Sequence, residues 1–200
     1  MSPKSSKRAA KTQPSHPRYI ALLRGVNVGG RVIRMDQLKR AFESMSLSNV
    51  QTFIASGNVI FETSISKAGA IESAIEAGLH KAFKYPVMTF VRTPAEMIAA
   101  SVQAPFTAGD LENAGLYVTF LKTPLDEAAA RKVLTLRNAD DDFAVVGREV
   151  YWLRRRLKER MGEPFPPLEK AISVPGTMRS ITTVRKLAAK YCGDTGTAGK

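Results

Sequence analysis

Apolar positions in the first half of the chain alternate between the spacing of strands and the spacing of helices. The run "YIALLRGV", which begins at Tyr19, predicts a strand, and "MDQLKRAFESM" places its apolar residues at helical spacing. The next segment, "VQTFIASGNVIFE", predicts a hairpin, because Gly57 and Asn58 accept the positive φ of a tight reversal. A helix over about residues 66–83, the strand "PVMTFVR" and the helix "TPAEMIAASV", which opens with a capping box, complete the series.

The second half of the chain repeats this order of elements. "LYVTFLK" predicts a strand, and Thr123 with Pro124 predicts the start of a helix that runs to about Arg137. "DFAVVGREVYWL" predicts two strands around Gly147. A helical segment near residues 167–172, the extended "GTMRS" and the helix "ITTVRKLAAKY" follow.

Matching positions in the two halves indicate an internal duplication. The aligned pairs are Tyr19 with Tyr117, Ile20 with Val118, Leu23 with Leu121, Arg24 with Lys122, Gly57 with Gly147 and Arg92 with Arg179. The order of elements in each half predicts an α+β fold of two tandem ferredoxin-like (βαββαβ) units, each an antiparallel sheet covered by helices, with an added helix per unit. The predicted boundaries are a disordered basic tail at 1–17, units at 18–103 and 114–192, and a disordered tail at 193–200.

A net charge of +12 suggests an anionic partner. The first 18 residues hold five Lys and Arg side chains, no acidic one and almost no apolar content, so we expect this tail to be disordered and solvated. A second basic cluster consists of Arg154, Arg155, Arg156, Lys158 and Arg160. Tail and cluster together support an alternative hypothesis, nonspecific association with nucleic acid, although a solvated helix face is the more ordinary explanation of the cluster.

Membrane partners find no support in the sequence. No apolar run approaches the roughly 18 residues that a bilayer span needs, and the N-terminus lacks the apolar core of a signal peptide. We therefore expect a cytoplasmic protein without a membrane partner, whose oligomeric state the sequence leaves open.

The glycine-rich stretch "LLRGVNVGGRV" is the first candidate for chemistry. Gly25 and Gly30 have the separation of the nucleotide-binding Walker pattern, but Arg31 and Val32 stand where that pattern needs a lysine and a metal-binding hydroxyl. The stretch therefore does not predict a nucleotide loop. The glycine pair with its flanking arginines is either an amide nest for an anion or only a turn.

The sequence gives little support for catalytic triads, metal sites or an RNA-binding sheet. His16 and His80 suggest no catalytic triad, and the single Cys192 excludes an intramolecular disulfide and a metal site built on several thiolates. The aspartates of "NADDDF" lack the alternate spacing of a calcium loop, and no strand has the aromatic signature of an RNA-recognition sheet. We predict no metal and no cofactor. An enzyme that works through Arg and Ser stays open, without a nucleophile and base pair to support it.

The leading hypothesis is a small anionic or phosphorylated ligand bound in the cleft between the two halves. Arginines would clamp the anion, loop amides would donate to it, and Asn and Ser would orient it. The candidate residues are Arg24, Asn27, Gly29, Gly30, Ser56, Asn58, Arg92 and Arg179. The alternative for the same residues is structural, with Asn58 satisfying a turn and each arginine pairing with a local carboxylate.

Four motifs carry a resemblance to a known family. They are "YIALLRGVNVGG", "SGNVIF", "VRT" and "TVRKLA". In this order and spacing the chain resembles the bacterial family called domain of unknown function 1697, over about residues 18–191. The resemblance implies a two-unit α+β fold and no established activity. The chain departs from the family pattern at Ala55, Ser180 and Ile181.

Overall fold

The computed structural model describes residues 16–26, 32–55, 57–102, 105–156, 158–160, 162, 168–172 and 174–193. Most of the predicted basic tail, nearly all of the predicted C-terminal tail, and Asn27, Gly29, Gly30 and Ser56 lie outside the described residues.

The first half forms four strands and three helices in the predicted order. Their bounds are β1 Arg18–Arg24, α1 Met35–Glu43, β2 Ser48–Phe53, β3 Asn58–Glu62, α2 Ala68–Phe83, β4 Met88–Arg92 and α3 Pro94–Val102. Thr93 and Glu96 form the predicted capping box, since each accepts a hydrogen bond from the backbone N–H of the other.

The second half repeats that order after a short 3-10 turn at Gly109–Leu111. Its elements are β5 Gly115–Leu121, α4 Glu127–Leu134, β6 Asp141–Val146, β7 Glu149–Arg154, α5 Leu168–Ile172, β8 Gly176–Ser180 and α6 Ile181–Tyr191. The described residues thus form two four-stranded antiparallel sheets, ordered β2-β3-β1-β4 and β6-β7-β5-β8, and six α-helices. The predicted α+β class is confirmed at this level.

The start of α4 is a correction to the sequence prediction. Thr123 and Pro124 do not cap the helix, which begins at Glu127. Asp126 is the N-cap, and its carboxylate accepts a hydrogen bond of 2.7 Å from the N–H of Ala129. Because aspartate caps a helix at least as well as threonine, the helix starts after Asp126.

Alternation along the strands divides the apolar side chains among three cores. Helices α1 and α2 cover the outer face of the first sheet, and α4 and α5 cover the outer face of the second. The two inner faces share a third core with α3 and α6, which contains Ile20, Phe90, Val118 and Tyr151. The halves therefore meet across a common hydrophobic core.

Two glutamates of α2 satisfy the outer edge of β4, which is the edge strand of its sheet. Glu72 accepts a hydrogen bond of 2.9 Å from the N–H of Val91, and Glu76 accepts one of 2.8 Å from the N–H of Thr89. Glu72 is buried, and burial raises the pKa of its carboxyl, opposed by the Val91 hydrogen bond. The edge is thus closed to pairing with another strand at the cost of a buried carboxylate.

None of the helices in the described part of the chain combines the length and the apolar character that crossing a bilayer requires.

The buried carboxyl gives the first testable prediction. Replacement Glu72→Gln keeps an oxygen for the Val91 N–H and removes the buried charge, so we expect it to raise the free energy of unfolding near pH 7 by roughly 1 kcal/mol. Since the folded state binds this proton more tightly than the unfolded state, the parent gains stability at low pH. The stability of the parent relative to the variant should therefore be greatest below pH 4.5, the ordinary pKa of glutamate, and should fall as the pH is raised above it in measurements up to pH 7.

Urea unfolding across that pH range measures this difference. Replacement Glu127→Gln on the exposed face of α4 is the matched control and should show no such trend. A difference that grows in favour of the parent as pH rises would contradict the prediction.

Candidate functional site

Two buried arginines extend from the edge strands of the two sheets into the opposite half. Arg92 ends β4, and Arg179 lies in β8 at the corresponding position, since Arg92 pairs with Ile20 of β1 and Arg179 pairs with Val118 of β5. Both lie on the inner faces of their sheets, and burial lowers the pKa of each guanidinium.

Arg92 and its acceptors in the second half form what we call the Arg92 clamp. The guanidinium donates 2.7 Å to the carbonyl of Leu121, 3.3 Å to the carbonyl of Arg148 and 2.8 Å to the carboxylate of Glu149. It also donates 2.9 Å to the carbonyl of Val91 and stacks over the ring of Phe120. The carboxylate of Glu149 opposes the effect of burial on the pKa of Arg92. This clamp is a buried ion pair surrounded by carbonyl oxygens.

Arg179 and its acceptors in the first half form the Arg179 clamp. The guanidinium donates 2.9 Å to the carbonyl of Leu23, 3.5 Å to the carbonyl of Gly57 and 2.7 Å to the side-chain oxygen of Asn58. It also donates 2.9 Å to the hydroxyl of Thr177. Burial lowers the pKa of Arg179 to about 10, so the side chain stays charged at neutral pH.

The register shows which acceptors correspond in the two clamps. The N–H of Leu23 bonds to the carbonyl of Gly57, and the N–H of Leu121 bonds to the carbonyl of Arg148. Gly57 therefore corresponds to Arg148, so its alignment with Gly147 is wrong by one position. Asn58 then corresponds to Glu149. One clamp holds a carboxylate where the other holds a neutral amide.

Arg24 lies beside the Arg179 clamp, at an open pocket between the halves. The pocket measures about 300 Å³ and is lined by Arg24, Met88, Glu169, Val174 and Pro175. Arg24 is held there by a hydrogen bond of 3.1 Å to the carbonyl of Gly176 and by an ion pair of 2.7 Å with Glu169. A ligand in this pocket would therefore meet one cation, one carboxylate and an apolar wall.

The structure separates the predicted site residues into two groups. Arg24, Asn58 and Arg179 lie together where β1, the β2-β3 hairpin and β8 meet. Arg92 belongs to the other clamp and has no partner in common with them among the contacts of the described residues. Because its guanidinium is fully buried among protein acceptors, Arg92 is not presented to a cleft.

Several residues at these positions escaped the sequence analysis. Glu149 follows a glycine turn at the start of its strand, as Asn58 does. Alignment of the two hairpins could therefore have pointed to Glu149. Glu169, Val174 and Pro175 carry no motif, and Glu169 meets Arg24 across 145 positions. Nothing in the local sequence pointed to the pocket.

The second basic cluster faces carboxylates. Arg155 pairs with Asp110 at 3.3 Å and with Asp142 at 3.4 Å. The other pairs join Arg156 to Asp140 and Arg160 to Asp141. Arg154 is buried with its guanidinium over the ring of Trp152, whereas Lys158 is exposed. Nucleic-acid association stays a prediction, and these ion pairs reduce the charge on which it depends.

Comparisons with known proteins agree with this architecture. The model of a family described as protein of unknown function (DUF1697) matches residues 17–151, which confirms the resemblance found in the sequence. A search among curated proteins finds no match. Among solved structures, the conserved bacterial protein SP0830 from Streptococcus pneumoniae is similar with a TM-score of 0.67 and 21% identity, over 86% of this chain and 97% of that one. At this identity the likeness concerns the fold.

The Arg92 clamp yields a prediction about stability. Replacement Arg92→Ala leaves a largely buried Glu149 carboxylate and several carbonyls without their donor, so we expect the free energy of unfolding to fall by about 3–5 kcal/mol. Urea unfolding followed by circular dichroism measures the loss.

The matched control is Arg131→Ala, which removes an exposed ion pair to Glu127 within α4 and should cost less than about 0.5 kcal/mol. Equal losses in both variants would show that the Arg92 clamp does not join the halves.

Proposed function

The chain belongs to the DUF1697 family of proteins of unknown function, and we propose that it binds a small anionic ligand between its two halves, in the pocket beside Arg24. The observation that carries the proposal is the difference between the two clamps. Glu149 neutralises Arg92, whereas the corresponding residue at Arg179 is Asn58, whose amide carries no charge. We propose that the clamp with the neutral amide presents the more positive field to an anion at its end of the molecule.

Burial strengthens that field. Arg179 is surrounded by protein, where a charge is less screened than on the surface. Its N–H groups already donate to protein oxygens, so Arg179 would act on a ligand through its charge. Direct contact with the anion falls to Arg24, which is half-exposed at the pocket wall.

The glycine-rich loop follows in the sequence directly on the end of β1, which lies beside the pocket. The hairpin tip packs against the end of β1 so closely that a Cβ at Gly57 would lie 3.1 Å from the Cβ of Leu23 and 3.4 Å from that of Val26. The loop at residues 27–31 continues directly from Val26. Its amides and the Ser56 hydroxyl lie outside the described residues, and we propose them as further ligand contacts.

We also propose that the two halves arose by duplication of one ferredoxin-like unit, with the boundaries given above and a cytoplasmic location. The shared strand order and the shared register of the two sheets support this interpretation. In it, the loop at residues 27–31 belongs to one copy, because the strand of the second copy ends at Leu121 and α4 begins at Glu127.

Ligand binding is tested by thermal shift with inorganic phosphate, acetate and butyrate. At ten times the dissociation constant an anion stabilises the folded state by about 1.4 kcal/mol, which raises Tm by roughly 3–6 °C for a chain of this size. We expect this shift in the parent and its loss in Arg24→Ala. The control Arg131→Ala should keep it, and a parent that responds to none of the three anions would refute the proposal.

A second prediction addresses the charge of the Arg179 clamp. Replacement Asn58→Asp installs a carboxylate 2.7 Å from the Nε of Arg179 and so copies the neutralised Arg92 clamp. Because Asn58 is buried, we expect anion affinity to fall through the loss of field, roughly tenfold or about 1.4 kcal/mol. Titration calorimetry with the responding anion measures the change.

The control for charge alone is Asn138→Asp, which adds the same carboxylate in the exposed turn before β6. Unchanged affinity in Asn58→Asp, with Tm close to that of the parent, would show that the Arg179 clamp has no electrostatic role in binding.

A further inference from the structure

Glu169 occupies the anion-binding face of Arg24. Its two carboxylate oxygens lie 2.7 Å from Nη1 and 2.8 Å from Nη2 of the guanidinium, which is the forked geometry of a carboxylate bound by arginine. The pocket thus already contains a carboxylate supplied by the chain itself.

The ion pair that corresponds to Arg24 and Glu169 shows how weakly Glu169 is tethered. Lys122 follows β5 as Arg24 ends β1, and it pairs at 2.6 Å with Glu76 of α2. Glu76 also accepts the N–H of Thr89 and is 30% exposed. Glu169 is 54% exposed, and Arg24 is its partner among the described residues. Glu76 is held by two elements and Glu169 by one side chain.

Arg24 keeps a second anchor when Glu169 leaves. Its Nη1 also donates to the carbonyl of Gly176 in β8, so the guanidinium stays pointed at the pocket. Gly176 itself is held in the sheet by its pairing with Leu121 of β5. A preformed cation whose counter-ion is half-exposed suits exchange of one carboxylate for another.

The remaining lining residues indicate the body of the ligand. Met88, Val174 and Pro175 form an apolar wall in a pocket of about 300 Å³, at the small end of ligand sites. A bare anion leaves this wall in water, whereas a short apolar chain attached to a carboxylate covers it.

We propose that the ligand is a small organic carboxylate with a short apolar body, which displaces Glu169 from Arg24. Glu169 is then a built-in competitor that lowers the affinity of the pocket and makes binding selective for ligands that also cover Met88, Val174 and Pro175. This inference rests on the proposed anion site and specifies its ligand and its regulation.

The experiment titrates butyrate into the parent, Glu169→Gln and Arg24→Gln by calorimetry, with acetate and inorganic phosphate as further probes. We expect Glu169→Gln to bind butyrate three- to fivefold more tightly, the scale of an exposed ion pair, and Arg24→Gln to lose binding. Butyrate should bind more tightly than acetate or phosphate. The control Glu127→Gln removes a carboxylate from the exposed pair on α4 and should match the parent.

The outcomes separate this inference from the proposed function. Binding through Arg24 that is unchanged or weakened in Glu169→Gln overturns the competitor role and leaves the anion site standing. Phosphate binding as tightly as butyrate overturns the assignment of an organic carboxylate. If no anion binds either the parent or Glu169→Gln, and both variants keep the Tm of the parent, the anion site itself is wrong.

Discussion

Two buried guanidinium groups hold the halves of this protein together, because a guanidinium removed from water needs an acceptor for each N–H. Arg92 and Arg179 lie on the inner faces of their sheets, and both donate to strand ends and hairpins of the opposite half. Val91 and Thr177 supply acceptors from the same half, but neither half alone satisfies all the N–H groups of its own arginine. The shared core therefore depends on these hydrogen bonds between the halves as well as on apolar packing, and both join the two sheets.

The two clamps place a guanidinium at corresponding positions but pair it with different groups. Where Glu149 neutralises Arg92, the amide of Asn58 accepts a hydrogen bond from Arg179 and carries no charge. The neutralised clamp is complete as a structural element. The other lies next to the half-exposed Arg24 and to a pocket at the junction of the halves. The difference between the two clamps thus locates the candidate site. Features that both halves share need no explanation beyond folding.

Sequence reasoning predicted the order of elements because apolar periodicity and turn residues act locally. It failed where the deciding contact is distant or carries no residue signature. The acceptors of Arg179 include the carbonyl of Leu23, 156 positions away, and a carbonyl looks the same at every residue. Even a local prediction failed at α4, where Thr123 and Asp126 both offer a cap and the helix follows the second. Arg24 was predicted as a ligand contact, but Glu169 opposite it was not.

The same arginines were expected to clamp an anion. That expectation combined two properties of an arginine, its hydrogen-bonding capacity and its charge. Hydrogen-bonding capacity is local and is consumed when the N–H groups bind protein oxygens, as at Arg92 and Arg179. Charge acts over several ångströms and persists after the hydrogen bonds are satisfied. In the proposed site, the saturated Arg179 would therefore attract an anion without touching it, and the half-exposed Arg24 would make the contact. This division between a buried and an exposed arginine would let one site be both structural and open to exchange.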